Sequence, residues 1–520
     1  MLNREVPSTL VTPLPVAVLV VLVAAVLLSP LRINHDCAVY LQCGELLLDG
    51  KLPYVDFIDT NPPLIMYLNV LPAIVARGLH VNPVAVFSLL VVALVALSAA
   101  ALFAQLRRAT PTAAAAILAA LWAGDSLRIW VLNDFGQREH LFMLLYVPFL
   151  AARWNRWMGV PPARVTAVAL GIGAAVGVCL KPHFALIAGA AEVYFLVSRR
   201  QIRPLLQPEV FAAVGVGALY GAHFLLLPHA VFEAFFHRWL PFVAQHYAVY
   251  DNALRSLVHP VIVLAVGMAL AGLLARGAWA DPLAELSGVL GVTTGAAVVV
   301  YFLQHKGWSY HRLPVDSSLV LLVGAVDVAA LAGRREAARM LSVAVVIGWL
   351  SLALCGAWVV PSVARQAAAR QRSNPFVRAI EARTEPGDAV LFVSTSAPPA
   401  FPLLVQTGRR PGSRYLISFP IPMFYDGATP GAAGAPRYHR LADASPEERQ
   451  FLRELAEDIS TLRPVAILID AQPGCQACPP QFSVLDYLEY SGALAGAMGD
   501  YREVAKLSTF VVYARRGQAR

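Results

Sequence analysis

The residue of this chain best placed to do chemistry is Asp36. It follows an apolar run at 12–30 and opens the stretch 34–64, NHDCAVYLQCGELLLDGKLPYVDFIDTNPPL, which carries Asp36, Glu45, Asp49, Lys51, Asp56 and Asp59. Charges at membrane depth are costly unless they face water or protein, so their density beside an apolar run needs a cause. If the segment continues as a helix, Asp36, Tyr40 and either Gln42 or Cys43 share one face. A carboxylate held at a rigid helix end and partly desolvated suits a general base that takes a proton from a hydroxyl or an amine. The structural alternative is an Asp that caps the helix, and most of the other charges read as a solvated loop.

The elements that must position Asp36 follow from composition. The chain is 58% hydrophobic and 14% charged, with a mean hydropathy of +0.60, where soluble domains hold about 25% charged residues. This predicts a polytopic α-helical membrane protein. Apolar runs at 12–30, 83–105, 111–124, 139–153, 164–180, 183–198, 208–227, 258–275, 283–303, 315–332 and 340–360 give about eleven transmembrane helices. The first run has no signal-peptide cleavage pattern and reads as a retained anchor. The formal charge of +8 comes from Lys and Arg clustered between apolar runs, which is a signature of topology and excludes a nucleic-acid partner.

Residues 64–75, LIMYLNVLPAIV, are apolar but short and contain Pro72. If they crossed the membrane, the clusters Arg107-Arg108, Arg153 with Arg156, Arg199-Arg200 with Arg203, and Arg334-Arg335 with Arg339 would all lie outside. If they lie along the outer interface, every cluster falls in the cytoplasm together with Arg4, as the positive-inside rule requires. The second arrangement puts the N-terminus in the cytoplasm and the chain beyond 361 outside. The expected location is the bacterial cytoplasmic (inner) membrane, multi-pass. The expected domains are a membrane core, 1–362, with outer-face loops 31–82, 125–140, 228–257 and 304–314, and a soluble extracytoplasmic α/β domain, 363–520. In that domain, helices near 374–384 and 446–460 alternate with strands at 389–394, 465–470 and 509–513, the pattern of a small open sheet with helices on its faces. Residues 427–435, rich in Gly, Ala and Pro, read as a loop.

Topology then groups the polar segments on one side: 34–64; DSLRIWVLNDFGQREH at 125–140; the Lys181-Pro182-His183 break; FEAFFHRWLPFVAQHY within 228–259; and QHKGWSYHRLPVD at 304–316. Most of the histidines gather there, which argues for a site on the outer face.

Within 34–64 the runs D-x-x-x-Y at Asp36 and Tyr40, G-K-x-P-Y-x-D at residues 50–56, and N-P-P-L at residues 61–64 resemble the first outer loop of the GT-C superfamily of membrane glycosyltransferases. The resemblance is to the protein O-mannosyltransferase and lipid A aminoarabinose transferase group. It implies a multi-span core, an interfacial helix after N-P-P-L and a C-terminal extracytoplasmic domain. It also implies inverting transfer of a sugar from a polyprenyl-phosphate carrier, with Asp36 as the base. Many members carry an acidic pair where this chain has His35 and Asp36. A second acid is expected where the next span begins, at Asp134 or Glu139, of which Glu139 lies closer to the membrane. The departing phosphate calls for Lys or Arg, or a metal; no cofactor is fixed by the sequence, and a divalent cation stands as the alternative to basic side chains.

Lys181, in LKPHFAL, is the first candidate for the phosphate, with Arg138, Lys306 and Arg312 as helpers and His237 and Arg238 as weaker ones. His35, Tyr40, Asp56, Asp59, Asn61, His183, His305, Tyr310 and His311 are the candidates for shaping the substrate site. Trp308 and Tyr310 would stack on a sugar or anchor the chain at the interface. The acceptor, whether glycan, lipid or protein, is not specified. The CxxC at Cys475 and Cys478 reads as a tight disulfide in an extracytoplasmic loop. No nucleotide-binding glycine motif or nucleophile elbow is present. A transporter or flippase of lipid-linked sugars would need ionisable groups near the midplane and internal repeats, which the sequence lacks apart from Glu192. A non-catalytic envelope scaffold is a third reading.

Overall fold

In hydrocarbon each backbone amide must be paired within its own segment, so long apolar runs fold as helices. The computed structural model describes residues 8–278, 282–332, 337–425, 438–474, 477–479 and 481–517. Each expected apolar run lies on a helix, from Leu14–Leu28 and Pro83–Leu106 to Leu313–Ala332 and Ala337–Leu354. Among the described residues seven helices are long and apolar enough to cross a membrane, and Leu64–Leu79, Arg164–Cys179 and Pro260–Leu274 are shorter apolar helices. The protein is a multi-pass helical membrane protein with a small C-terminal sheet.

Packing divides the chain into two units: residues 1–32, 88–226 and 252–365 in one, and 33–87, 227–251 and 366–520 in the other. In the first unit, helices close on one another where a side chain is missing. A Cβ on Gly171 would strike the backbone of Glu209, and Gly272 and Gly291 let Pro260–Ala278 and Pro282–Leu303 approach backbone to backbone. The helix Arg138–Trp157 ends in a buried ion network. Arg153, counted among the loop charges in the sequence, is fully buried. Its guanidinium forks onto Glu192 at 2.6 and 2.8 Å and reaches Glu209 at 2.7 Å, while Arg156 also pairs with Glu209. Two cations against two carboxylates leave no buried charge uncompensated.

The second unit begins with the helix pair His35–Leu48 and Leu64–Leu79. Gly44 lies against the backbone of Asn69, where a Cβ would have no room. Leu64–Leu79 buries Ile65, Met66, Ala73 and Ala76 but exposes Leu68, Leu71, Ile74 and Leu79, so its two faces are both apolar and only one is packed. The C-terminal segment forms a five-stranded sheet of β1 Ala389–Val393, β2 Arg410–Pro411, β3 Ala466–Asp470, β4 Tyr501–Leu507 and β5 Phe510–Arg515, in the order β2-β1-β3-β5-β4. Strand β1 runs parallel to β2 and β3, with Val390 opposite Ala466, and β5 runs antiparallel to β3, with Val512 opposite Leu468. The sheet is mixed because β4 and β5 are joined by a two-residue turn, which only an antiparallel pair allows. The helix Pro446–Leu462 is capped by Ser445, whose hydroxyl accepts from the Glu448 amide at 3.1 Å. The expected loop at 427–435 lies outside the described residues. So does Cys475; its CxxC partner Cys478 is disulfide-bonded.

Two predictions follow from the first helix pair. Gly44→Ala must push His35–Leu48 off the Asn69 backbone and should cost about 1–3 kcal/mol, the usual penalty of overpacking. Gly78→Ala on the partner helix, where a Cβ meets nothing within 4 Å, should leave the unfolding temperature unchanged; equal effects in a thermal melt would refute the packing argument. The second concerns Glu45, whose carboxyl is raised from 4.5 to about 7 by burial first, with Arg77 opposing and Asp49 reinforcing the rise. An acid raised on folding favours the folded state while protonated, so its contribution is complete below about 4.5 and is lost as pH rises toward about 7. Glu45→Gln should flatten the pH dependence of unfolding across that window and stabilise the protein above it.

Candidate active site

Proline has no amide hydrogen and disfavours a helical residue before it, so Lys181-Pro182 must interrupt the apolar run from 164 to 198. The interruption separates Arg164–Cys179 from Phe184–Arg199 and leaves the Lys181 ammonium nearly buried, 7% exposed. An ammonium so placed needs a counter-charge, and it is paired with Oε1 of Glu139. Glu139 is itself fully buried, in the first turn of Arg138–Trp157, where the helix N-terminus favours a negative charge. Lys181 also donates to Oε1 of Gln304 at 3.1 Å and lies 5.5 Å from the centre of the Tyr310 ring. Tyr310 is packed on Ile129 and Leu313, with Trp308 against the cluster.

Two histidines complete this group. His183 directly follows the break; burial, then the charges of Lys181 and Arg138, push it down to about 3, so it is neutral at physiological pH. Its Nε2 is buried without a hydrogen-bond partner among the described residues, and so is Nδ1 of His311. Lys306 and Arg138 are buried too, and both bear electrostatically on His311. The arrangement is a buried, cation-rich cluster in which two imidazole nitrogens have no hydrogen-bond partner among the described residues, a chemistry that suits an anion with several oxygens. Asp134 is buried nearby in sequence. Among the described residues no group of three or more His, Cys, Asp or Glu side chains is placed to hold a metal ion, so no step is assigned to one.

The remaining candidates of this unit sit differently. His305 is exposed, in a left-handed turn with φ 54°. Arg312 is bound to Asp316 at 3.1 and 3.2 Å, and Asp316 also meets Arg128, which pairs with Asp125 at 2.7 Å while Ser317 donates to the other Asp125 oxygen at 2.5 Å. Sequence reasoning missed this network and the Gln304 contact. The signal was present in the spacing, since Asp125 and Arg128 are three apart and Arg312 and Asp316 four apart on helices.

The second unit carries Asp36. The capping alternative goes to its neighbour: Oδ1 of Asn34 accepts from the Asp36 amide at 2.9 Å. Asp36 therefore sits in the first helical turn without being the cap, 3.4 Å from His35 Nε2 and with its side chain 19% exposed. One turn on, the Tyr40 hydroxyl accepts from Asn61 Nδ2 at 3.1 Å, and Asp59 holds the Asn61 amide and side chain, both at 2.7 Å. Tyr54 donates to the Asn61 carbonyl at 2.6 Å, and Asp56 closes a turn on the Leu52 amide at 2.8 Å. Asp56, Asp59 and Asn61 thus fix the loop that fixes Tyr40. Among the sequence candidates, Glu139, Lys181, His183, Arg138, Lys306, Tyr310 and His311 come together in the first unit; His35, Asp36, Tyr40, Asp59 and Asn61 come together in the second.

No protein-family model matches the chain, and no curated protein matches it. Among solved structures it is similar to ArnT from Cupriavidus metallidurans, crystallised with undecaprenyl phosphate. The TM-score is 0.58 and the identity 17%, over 96% of this chain and 97% of that one. A weaker likeness, TM-score 0.46 at 12% identity over 89% of this chain and 70% of the other, is to the oligosaccharyltransferase of Archaeoglobus fulgidus in its apo form. The whole-length likeness shows that this chain shares the fold of ArnT.

Proposed function

We propose that the protein transfers a sugar from a polyprenyl-phosphate carrier to an acceptor at the outer face of the cytoplasmic membrane, with inversion at the anomeric carbon. The observation that carries this reading is the buried Lys181 ammonium, held by Glu139 and Gln304 beside two histidines with unused nitrogens. That is what a departing phosphate requires: preorganised donors in a water-poor site. The ArnT fold, seen in a crystal with undecaprenyl phosphate, supports the carrier.

Asp36 takes the proton from the acceptor hydroxyl or amine as that oxygen or nitrogen bonds to the anomeric carbon. The bond from this carbon to the carrier phosphate breaks, and its electron pair stays on the phosphate oxygen. Lys181 receives the resulting charge, Arg138 and Lys306 add positive potential, and the neutral His183 and His311 are available as hydrogen-bond partners. Glu139 acts as a positioning residue that keeps Lys181 charged and aimed. Tyr40, steadied by Asn61 and Asp59, shapes the acceptor side.

Asp36→Asn should lower transfer of radiolabelled sugar from polyprenyl phosphate about 10²–10⁴-fold, the span of lost general-base catalysis, with carrier binding retained in native mass spectrometry. Wild-type turnover in this variant would remove Asp36 from the mechanism. Lys181→Ala alone would strand the buried Glu139 carboxylate and destabilise the protein. The pair Glu139→Gln with Lys181→Gln is therefore the informative test. It should fold, melt near the parent temperature and bind polyprenyl phosphate about tenfold or more weakly, as expected on losing a charge-assisted hydrogen bond. Unchanged carrier affinity in that pair would place the phosphate elsewhere.

A further inference from the structure

The segment FEAFFHRWLPFVAQH, residues 232–246, has no part in the reaction above, yet it is built unlike an ordinary helix. Glu233–Trp239 is a π-helix that runs into the α-helix Leu240–His246. Such wide turns are rare and concentrate at functional sites. In the second unit this segment joins Tyr415, Phe424 and Phe451 around a cavity of about 250 Å³.

The walls of the cavity are fixed from behind. Arg238 forks onto Glu454 with both contacts at 2.8 Å, lies 3.3 Å from the Tyr415 hydroxyl and stacks 4.5 Å from the centre of the Trp239 ring. Tyr415 donates to the same carboxylate, and Gln450 Nε2 does so at 3.0 Å. Trp239 is pinned through its Nε1, which donates to the Tyr54 carbonyl at 3.2 Å. The charge of Arg238 is therefore already answered within the protein by Glu454.

The other groups of the cavity are of a different kind. Phe242 lies 5.0 Å from the His246 ring and 5.8 Å from Phe424, giving flat apolar faces. Around them stand the planar polar side chains of Gln245, His246 and Glu447. A ligand that suits both must have an apolar face and a rim of hydrogen-bonding groups. A pyranose ring has both: its C–H face stacks on an aromatic ring, and its hydroxyls lie at the edge, within reach of amide, imidazole and carboxylate. The volume is below the roughly 300–1,000 Å³ of pockets for larger ligands, and so fits one ring rather than a chain.

We propose that this cavity is a carbohydrate-binding pocket that takes a single pyranose ring exposed on a glycan. The pocket does not depend on the transfer reading, and the test separates the two. The full-length protein is purified in a detergent without a sugar head group and titrated with methyl pyranosides of the gluco, galacto, manno and N-acetylglucosamine series, read by saturation-transfer difference NMR. At least one glycoside should give ring-proton signals, and its affinity should fall about tenfold in Phe242→Ala, as expected for loss of an aromatic contact. Gln245→Ala changes an exposed side chain and cannot unfold the unit, so it provides a second reading and should also weaken binding. Asp36→Asn should bind as the parent does. The proposal is overturned if no glycoside binds, if binding is unchanged in both Phe242→Ala and Gln245→Ala, or if it is lost in Asp36→Asn but kept in Phe242→Ala.

Discussion

The burial of one ammonium, that of Lys181, is the constraint on which the first unit depends. An isolated ion taken from water into a low-dielectric interior costs several kcal/mol even after the surroundings relax, so Lys181 must be paired or neutral. The pairing with Glu139 fixes where the helix Arg138–Trp157 begins. The same helix is fixed again by Arg153, which is held by Glu192 and Glu209. Glu139 and Arg153 are 14 residues apart, about 21 Å along a helix axis. A slide of one turn would break both sets of ion pairs at once, so the helix has only one register. A well-packed apolar pair would stabilise these positions as well or better. Among the described residues, partnerless buried polar atoms occur at both ends, histidine nitrogens of His183 and His311 near Glu139 and the Trp154 and Trp157 indole nitrogens near Arg153.

The Asp36 group is arranged on the same logic with weaker forces. A first-turn carboxylate is favoured by the helix N-terminus, and the cap itself is taken by Asn34. The loop after the helix is held by short-range polar contacts of the same kind. Asp59 and Asn61 hold one another and Tyr40, so the acidic residues that look reactive in the sequence serve largely to keep one hydroxyl in place.

What the sequence could reveal follows from how local each interaction is. Apolar runs and the proline break at Pro182 act within a few residues, and helices and strands lie where those signals put them. Lys181 was legible because the cation and the break are adjacent. Its partner was only half legible: Glu139 was a candidate acid, but the contact spans 42 residues and no local pattern fixes it. Arg153 and Arg312 show the converse. A buried, paired arginine and a solvated one at a helix end have the same neighbours in sequence, and only the distant carboxylates, Glu209 for Arg153 and Asp316 within its larger network for Arg312, tell them apart. In the C-terminal sheet, β2 spans two residues, too few for any periodicity. The β4–β5 hairpin makes the small open sheet mixed.

The Lys181–Glu139 pair also bears on how an anion could be held without being trapped. A bare buried cation would bind a phosphate too well to release it and would be too costly to fold around. On the proposed reading, the ammonium is already paired with Glu139 before any ligand arrives, and an incoming phosphate would share it rather than capture it. Arg138 and Lys306 supply further positive potential, felt at His311. His183, driven neutral by burial first and then by the same cations, adds a hydrogen-bonding nitrogen without adding charge. Attraction is thus spread over several groups, none of which has to be uncovered at the moment a carrier leaves. Such a site can stabilise a phosphate more as its charge grows during bond breaking than in the intact donor, and only that difference accelerates the reaction.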